Sequence, residues 1–328
     1  MKKSNNNWVV VLAAGDGNRL RSVTTNDMGD AVPKQFCSLR GGPSLLLETL
    51  ERSESVAAQD HICVVVASQH RRWWRAMLSR TPSANVIVQP MNRGTANGIL
   101  LPLLHIKARD PDARIIILPS DHYVRDVPIL VAAMESALDR LDNEVEEINL
   151  LGIRPERADP DLGYIIPGPA DGPGVSRVDR FIEKPSELLA RHLVDAGGLW
   201  NAFILTARIG TLLNLFASRH PHIVATMQSA IGHDGDRIDE LNAMFEIYRE
   251  LPVIDFSRHL LAGAETFLRV LTVGHCGWND IGTPERLVET LRSMPGNTRT
   301  QSMDPQIAAL NLWTQYAAQD HDRHAGQA

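Results

Sequence analysis

The run Trp8-Val-Val-Val-Leu-Ala-Ala14 contains no charged or hydrogen-bonding aliphatic side chain and is cut off by Gly15-Asp-Gly17. A strand that is apolar at every position needs cover on both faces, which restricts the chain to a sheet with helices above and below it. The runs Ile62–Ala67, Asn85–Gln89 and Ile115–Leu118 repeat the pattern, and helix-like segments Ser44–Ser53, Arg71–Arg80 and Ala96–Arg109 lie between them. This alternation predicts an α/β fold, a Rossmann-like three-layer α/β/α sandwich with a mainly parallel mixed sheet. In open sheets of this kind, ligands bind outside the carboxyl ends of the strands.

The second half reads as strands at Asn149–Ile153, Tyr164–Pro167, Val175–Ile182, Gly197–Leu205 and Thr266–Thr272. Helices are expected at Ser186–Asp195, Ile209–Arg219, Asp239–Arg249 and Pro284–Met294. Ser44, Ser186 and Thr283 stand where N-caps are wanted, and Pro284 occupies a first helical position. Residues 1–294 are expected to form one catalytic domain. The polar segment 295–328, amphipathic around Ile307–Tyr316, is expected to add a C-terminal helical extension.

Net charge is −6 over 328 residues, so there is no overall attraction to nucleic acid or to an anionic membrane. Any anion site must be local. Cys37, Cys63 and Cys276 are widely spaced and odd in number, which argues against a disulfide framework or a structural zinc site. No apolar run approaches a membrane span, and the first apolar run reads as a strand rather than a signal peptide. A cytoplasmic protein is expected.

The glycine turn carries the first chemistry. Gly15 and Gly17 allow the backbone after Leu12-Ala13-Ala14 to bend sharply and present N–H groups to an anion. Arg19, after Asn18, offers a planar fork to phosphate oxygens, and Lys34 in Val32-Pro-Lys-Gln35 adds a movable point charge. A dinucleotide fingerprint would need glycine where Leu20 stands, and no Gly-Lys-Ser/Thr triplet completes a Walker loop. A polyphosphate held at a sheet edge remains.

Further groups stand at strand ends. Asp121, in Pro119-Ser-Asp-His122, and Asp280, in Trp278-Asn-Asp280, are separated carboxylates of the sort Mg²⁺ uses together with substrate phosphates and water. Lys184, between Glu183 and Pro185, is a cation suited to a second phosphate. Gln89-Pro-Met-Asn-Arg-Gly-Thr95 brings Gln89, Asn92, Arg93, Gly94 and Thr95 into one loop able to read a purine edge. Gly163-Tyr164 and Trp200-Asn201 offer a platform and hydrogen bonds for a sugar. His122 and His275 lack zinc-enzyme spacing, and no Ser-His-Asp or Cys-His signature is present.

In this order the segments resemble the sugar-1-phosphate nucleotidyltransferases, in particular the mannose-1-phosphate guanylyltransferases. The resemblance rests on Leu12–Leu20, Pro33-Lys-Gln-Phe36, Asn92-Arg-Gly-Thr-Ala96, Leu118–His122, Gly152-Ile153 with Leu162-Gly-Tyr164, Phe181–Pro185, Trp200-Asn201 and Trp278–Gly282. It implies the nucleotide-diphospho-sugar transferase fold, with GTP and mannose-1-phosphate as substrates, Mg²⁺ as cofactor and room for a homodimer. Gly15, Gly17 and Arg19 would cradle the triphosphate, and Lys34 would neutralise it. Asp121 and Asp280 would hold Mg²⁺, Lys184 the sugar phosphate, and Gly163, Tyr164, Glu183 and Asn201 the sugar. The 92–95 loop would contact the base.

Departures from the family pattern are Asn18 for threonine, Gln89 for an acidic residue, Gly94 for asparagine, and Ala202-Phe203 for a small Ser-Gly pair. The link Arg21–Ala31 is also longer and more acidic than usual. These leave the metal and phosphate set intact and bear on base and sugar selectivity. The same chemistry with another nucleotide and sugar phosphate is the alternative, followed by a non-catalytic sugar-nucleotide-binding regulatory protein.

Overall fold

A computed structural model describes residues 6–25, 29–39, 42–144, 146–231 and 237–294. The expected C-terminal extension lies outside the described residues. The elements run β1 (Asn7–Ala13), α1 (Leu45–Ser53), β2 (Ile62–Ala67), α2 (Arg71–Met77), β3 (Val86–Gln89), α3 (Gly94–Arg109), β4 (Arg114–Pro119), α4 (Val127–Arg140) and β5 (Ile148–Ile153). They continue with β6 (Gly163–Ala170), β7 (Val175–Glu183), α5 (Glu187–Asp195), β8 (Leu199–Arg208), α6 (Ile209–Arg219), α7 (Pro221–Ala230), α8 (Arg237–Glu250), β9 (Leu268–Thr272) and α9 (Pro284–Ser293).

The three expected caps form as predicted. Ser44 Oγ accepts from the Leu47 N–H at 3.4 Å, Ser186 Oγ from Leu189 at 3.3 Å, and Thr283 Oγ1 from Arg286 at 3.4 Å. Two helices, α4 and α7, carried no expectation from sequence. Both begin with a proline in the first turn and neither has a side-chain cap.

One sheet of the described residues has the order β3-β2-β1-β4-β8-β5-β9-β7-β6. The expectation of a mainly parallel sheet holds only for its first half. Strands β3, β2, β1 and β4 are parallel, whereas β8 enters between β4 and β5 antiparallel to both. Beyond it only β5 and β9 are parallel, and β6 and β7 pair antiparallel with their neighbours. The sequence missed this because β8 is buried along most of its length, and a continuous apolar run reports burial rather than direction.

The two faces are covered separately. Val9, Val11 and Ala13 of β1 pack in a cluster with residues of α1, α2, α4, α5 and α9. Trp8 and Val10, pointing the other way, join a cluster built with α3, α6, α7 and α8. This alternation is the period-two geometry of a strand apolar on both sides. It leaves the carboxyl ends of β1 and β4 and the start of β8 at one sheet edge, where the candidate site lies.

Candidate active site

The turn after β1 is held by its neighbours. Gln35, fully buried, donates through Nε2 to the carbonyls of Ala13 and Gly15, both at 2.9 Å. Gly17 sits at φ 63°, and a Cβ there would come 3.0 Å from the Lys34 backbone nitrogen, so both conformation and space require glycine. At Gly15 a Cβ would meet nothing within 4 Å; this residue faces the open cleft. Asp16 accepts from Gln69 Nε2 at 2.8 Å and from Asn92 Nδ2 at 3.2 Å, and lies 3.7 Å from His70 Nε2. The turn is thereby clasped to the loops that follow β2 and β3.

Asp121 and Asp280 come together in one cleft of about 290 Å³, lined also by Leu12, Arg19, Gly163, Glu183, Lys184 and Asn201 among others. A reciprocal backbone pair joins Tyr123 and Asn279 at 2.8 and 2.9 Å, holding the two carboxylate-bearing segments side by side. Between them stands Lys34. Its Nζ is 2.9 Å from Asp121 Oδ2 and donates to the Asp280 carbonyl at 2.6 Å. Burial opposes ionisation of Asp121, but the neighbouring Lys34 outweighs it with help from His122, and the net direction of its pKa is down. Burial pushes the His122 imidazole down to about 4, so it is neutral near pH 7.

Arg286 at the start of α9 is a residue the sequence reading did not single out. Its guanidinium is buried, bonds Asp280 Oδ1 through Nη1, and reaches Asp159 at 3.3 Å and Asp161 at 3.5 Å through Nη2. Asp161 in turn lies 3.5 Å from Arg19 Nη1. A Cβ on Gly282 would fall 2.6 Å from Asp280 Oδ2, so a glycine there leaves that oxygen room. Among the described residues no cluster of three His, Cys, Asp or Glu could hold a metal by itself. The donor set that is present, two hard carboxylates lining one cleft, suits Mg²⁺ completed by phosphate oxygens and water.

At the other end of the cleft Glu183 pairs with Gly163, whose Cβ position would lie 2.6 Å from Glu183 Oε2. Burial, then the neighbouring Asp255, raises the Glu183 carboxyl above the usual glutamate value. Lys184, Phe203 and Ile281 are the non-glycine residues with positive φ among those described (48°, 56° and 45°). Each is in the cleft or directly follows a cleft residue, and each such conformation stores about 1–3 kcal/mol. Tyr164 is elsewhere: its ring is buried and its hydroxyl accepts from Asp159 N–H at 2.8 Å and Trp200 Nε1 at 3.1 Å. It stands behind the Gly163 end of the cleft rather than lining it.

The loop from Gln89 to Thr95 is also more structural than its composition implies. Gln89 is buried and donates to Tyr248 Oη at 3.1 Å. Arg93 donates to the carbonyls of Tyr248 and Arg249 at 2.6 and 2.7 Å. Gly94, at φ 84°, packs so closely that a Cβ would sit 2.3 Å from the Ile254 carbonyl oxygen. Asn92 accepts from the Gly94 N–H at 2.9 Å. Of this loop, Thr95 lines the cleft, its Oγ1 accepting from Phe256 N–H at 2.8 Å. Ala13, Ala14, Gly17 and Asn18 shape the glycine turn from outside that lining.

The profile of the nucleotidyl transferase family matches residues 8–295. The chain is 31% identical over 285 residues to the alginate biosynthesis protein AlgA of Pseudomonas aeruginosa, covering 84% of this chain and 56% of that protein. It is 26% identical over 299 residues to a mannose-1-phosphate guanylyltransferase of Salmonella muenchen, covering 87% and 60%. The chain thus spans little more than half the length of these relatives. Among solved structures, that of a mannose-1-phosphate geranyltransferase from Thermus thermophilus superposes with a TM-score of 0.73 at 25% identity, covering 88% of this chain and 80% of that one. A UDP-glucose pyrophosphorylase complexed with UDP-glucose shares the fold, with a TM-score of 0.56 at 12% identity, covering 87% and 97%.

Proposed function

The chain belongs to the nucleotidyl transferase family, and we propose that it transfers the guanylyl group of GTP to mannose-1-phosphate, giving GDP-mannose and pyrophosphate. The observation that carries the reading is the convergence of Asp121, Asp280, Arg19 and Lys184 on one cleft. A carboxylate pair at one end and a lysine at the other match two phosphorylated substrates meeting at a metal. No helix among the described residues is long and apolar enough to cross a membrane, and a reaction consuming GTP and a sugar phosphate fits the cytoplasm. In this reading residues 1–294 are the catalytic domain.

The sugar-phosphate oxygen is already an anion, so no general base is required. It forms a bond to the α-phosphorus of GTP as the bond to pyrophosphate breaks, in line. Asp121 and Asp280 would hold Mg²⁺, which supplies Lewis-acid neutralisation of the phosphate charge. Lys34 keeps Asp121 ionised and fixes the Asp280 backbone, while Arg286 orients the Asp280 carboxylate. Arg19 faces the triphosphate and Lys184 the sugar phosphate, relieving repulsion between two anions. Holding the substrates in line supplies about 7–11 kcal/mol of the barrier. Glu183 and Asn201 orient the sugar.

The test is pyrophosphate release by the purified chain with Mg²⁺, across nucleoside triphosphates and sugar-1-phosphates. Release with GTP and mannose-1-phosphate above all other pairs is the expected result. Another preferred pair would replace the substrates and keep the mechanism; no release with any pair would remove the transferase reading.

A further inference from the structure

We propose that Phe203 forms a wall of the sugar subsite and sets which glycosyl phosphate the cleft accepts. The inference rests on the transferase reading for the ligand's identity, but its placement stands on local geometry. In the β5–β8 ladder Leu150 faces Leu205 and Gly152 faces Asn201. Ala202, Phe203 and Ile204 therefore lie opposite Leu151 alone. Such a bulge kinks the strand and re-aims a side chain, and Phe203 at its apex adopts φ 56°. A bulky residue rarely takes this conformation, which glycine adopts without strain.

The surroundings hold it there. The Phe203 N–H donates to Asn201 Oδ1 at 3.0 Å, and its ring packs edge-on against Phe256 with centroids 6.2 Å apart. Despite that packing the residue is only half-buried, and it lines the cleft beside Glu183, Lys184, Asn201, Asp255 and Ser257. An aromatic surface thus faces the cleft directly beside these charged and polar groups. Its partly negative face suits the C–H side of a pyranose ring, while the neighbouring polar groups take the hydroxyls. A small residue would leave this space open, so the ring restricts the outline of the sugar that fits.

The experiment compares the full chain with Phe203→Gly, which keeps the left-handed conformation without strain, and Phe203→Tyr, which keeps the ring. Calorimetry reads binding of mannose-1-phosphate alone and of GTP alone. Pyrophosphate release reads kcat/KM for mannose-, glucose- and N-acetylglucosamine-1-phosphate. Phe203→Gly is expected to weaken mannose-1-phosphate about tenfold and to compress the ratios between sugars by a similar factor. GTP affinity should stay within about twofold, and Phe203→Tyr should restore sugar binding. Unchanged sugar affinity and selectivity, or a loss confined to GTP, would overturn the assignment, as would absence of sugar-phosphate binding in the unmodified chain. Sugar binding that depends on Phe203 without any pyrophosphate release would retain the subsite and remove the transferase reading.

Discussion

Lys34 Nζ lies 2.9 Å from Asp121 Oδ2 while donating to the carbonyl of Asp280 at 2.6 Å. One buried ammonium thus binds together the two segments that present carboxylates to the cleft. Lysine here is the counter-charge that holds Asp121 as an anion in the cleft.

Lys34→Met should therefore cost about 10²–10³ in kcat for Mg²⁺-dependent pyrophosphate release. The loss should exceed any change in GTP affinity, because the aspartates rather than the nucleotide lose their partner. A variant that keeps kcat but binds GTP poorly would instead make Lys34 a direct phosphate ligand.

Arg286 is buried against Asp280, Asp159 and Asp161. Removing one member of a buried ion-pair group costs about 3–5 kcal/mol, so Arg286→Met should lower the urea midpoint strongly. At temperatures where the variant is folded, half-saturation by Mg²⁺ should move to higher concentration. Full stability with an unchanged Mg²⁺ requirement would contradict the orienting role.

Asp16 joins the glycine turn to Gln69 and Asn92 at 2.8 and 3.2 Å. Asp16→Ala should raise KM for GTP about tenfold, the loss of one to two charge-assisted hydrogen bonds, with kcat nearly unchanged. A lower KM would mean that the negative charge, not the clasp, dominates at this turn.

Glu183 titrates above the ordinary glutamate value because burial and then Asp255 disfavour its charge. Below that ordinary value the folded and unfolded chains are both protonated. As pH rises, the unfolded chain releases its proton first, so stability falls through the window up to the raised folded value and is level beyond it. The difference in denaturation midpoint between the unmodified chain and Glu183→Gln should decline across this window. A difference that rises with pH would reverse the assigned sign.

Much of the site was legible because its signals are local. Gly17 had to be glycine for a turn between β1 and the Lys34 segment, and Asp121 stands just past the visible apolar run of β4. Arg286 was not legible: an arginine in the first turn of an amphipathic helix looks the same whether it meets solvent or Asp280. Tyr164 and Gln89 erred in the other direction. Each has the polar atoms of a ligand-binding residue, and each satisfies them on a residue distant in sequence or on a buried neighbour, Trp200 and Tyr248 respectively.

By itself the sequence determined the α/β class, the helix caps at Ser44, Ser186 and Thr283, and the glycine turn, because hydrophobic period, capping and backbone freedom act over a few residues. Only the tertiary structure decided that β8 runs antiparallel between β4 and β5, that Lys34 sits between two aspartates far away in the chain, and that Phe203 turns into the cleft. Those outcomes depend on which strands pair and in what register, and pairing is fixed by burial and hydrogen bonding summed over the whole sheet rather than by any short segment.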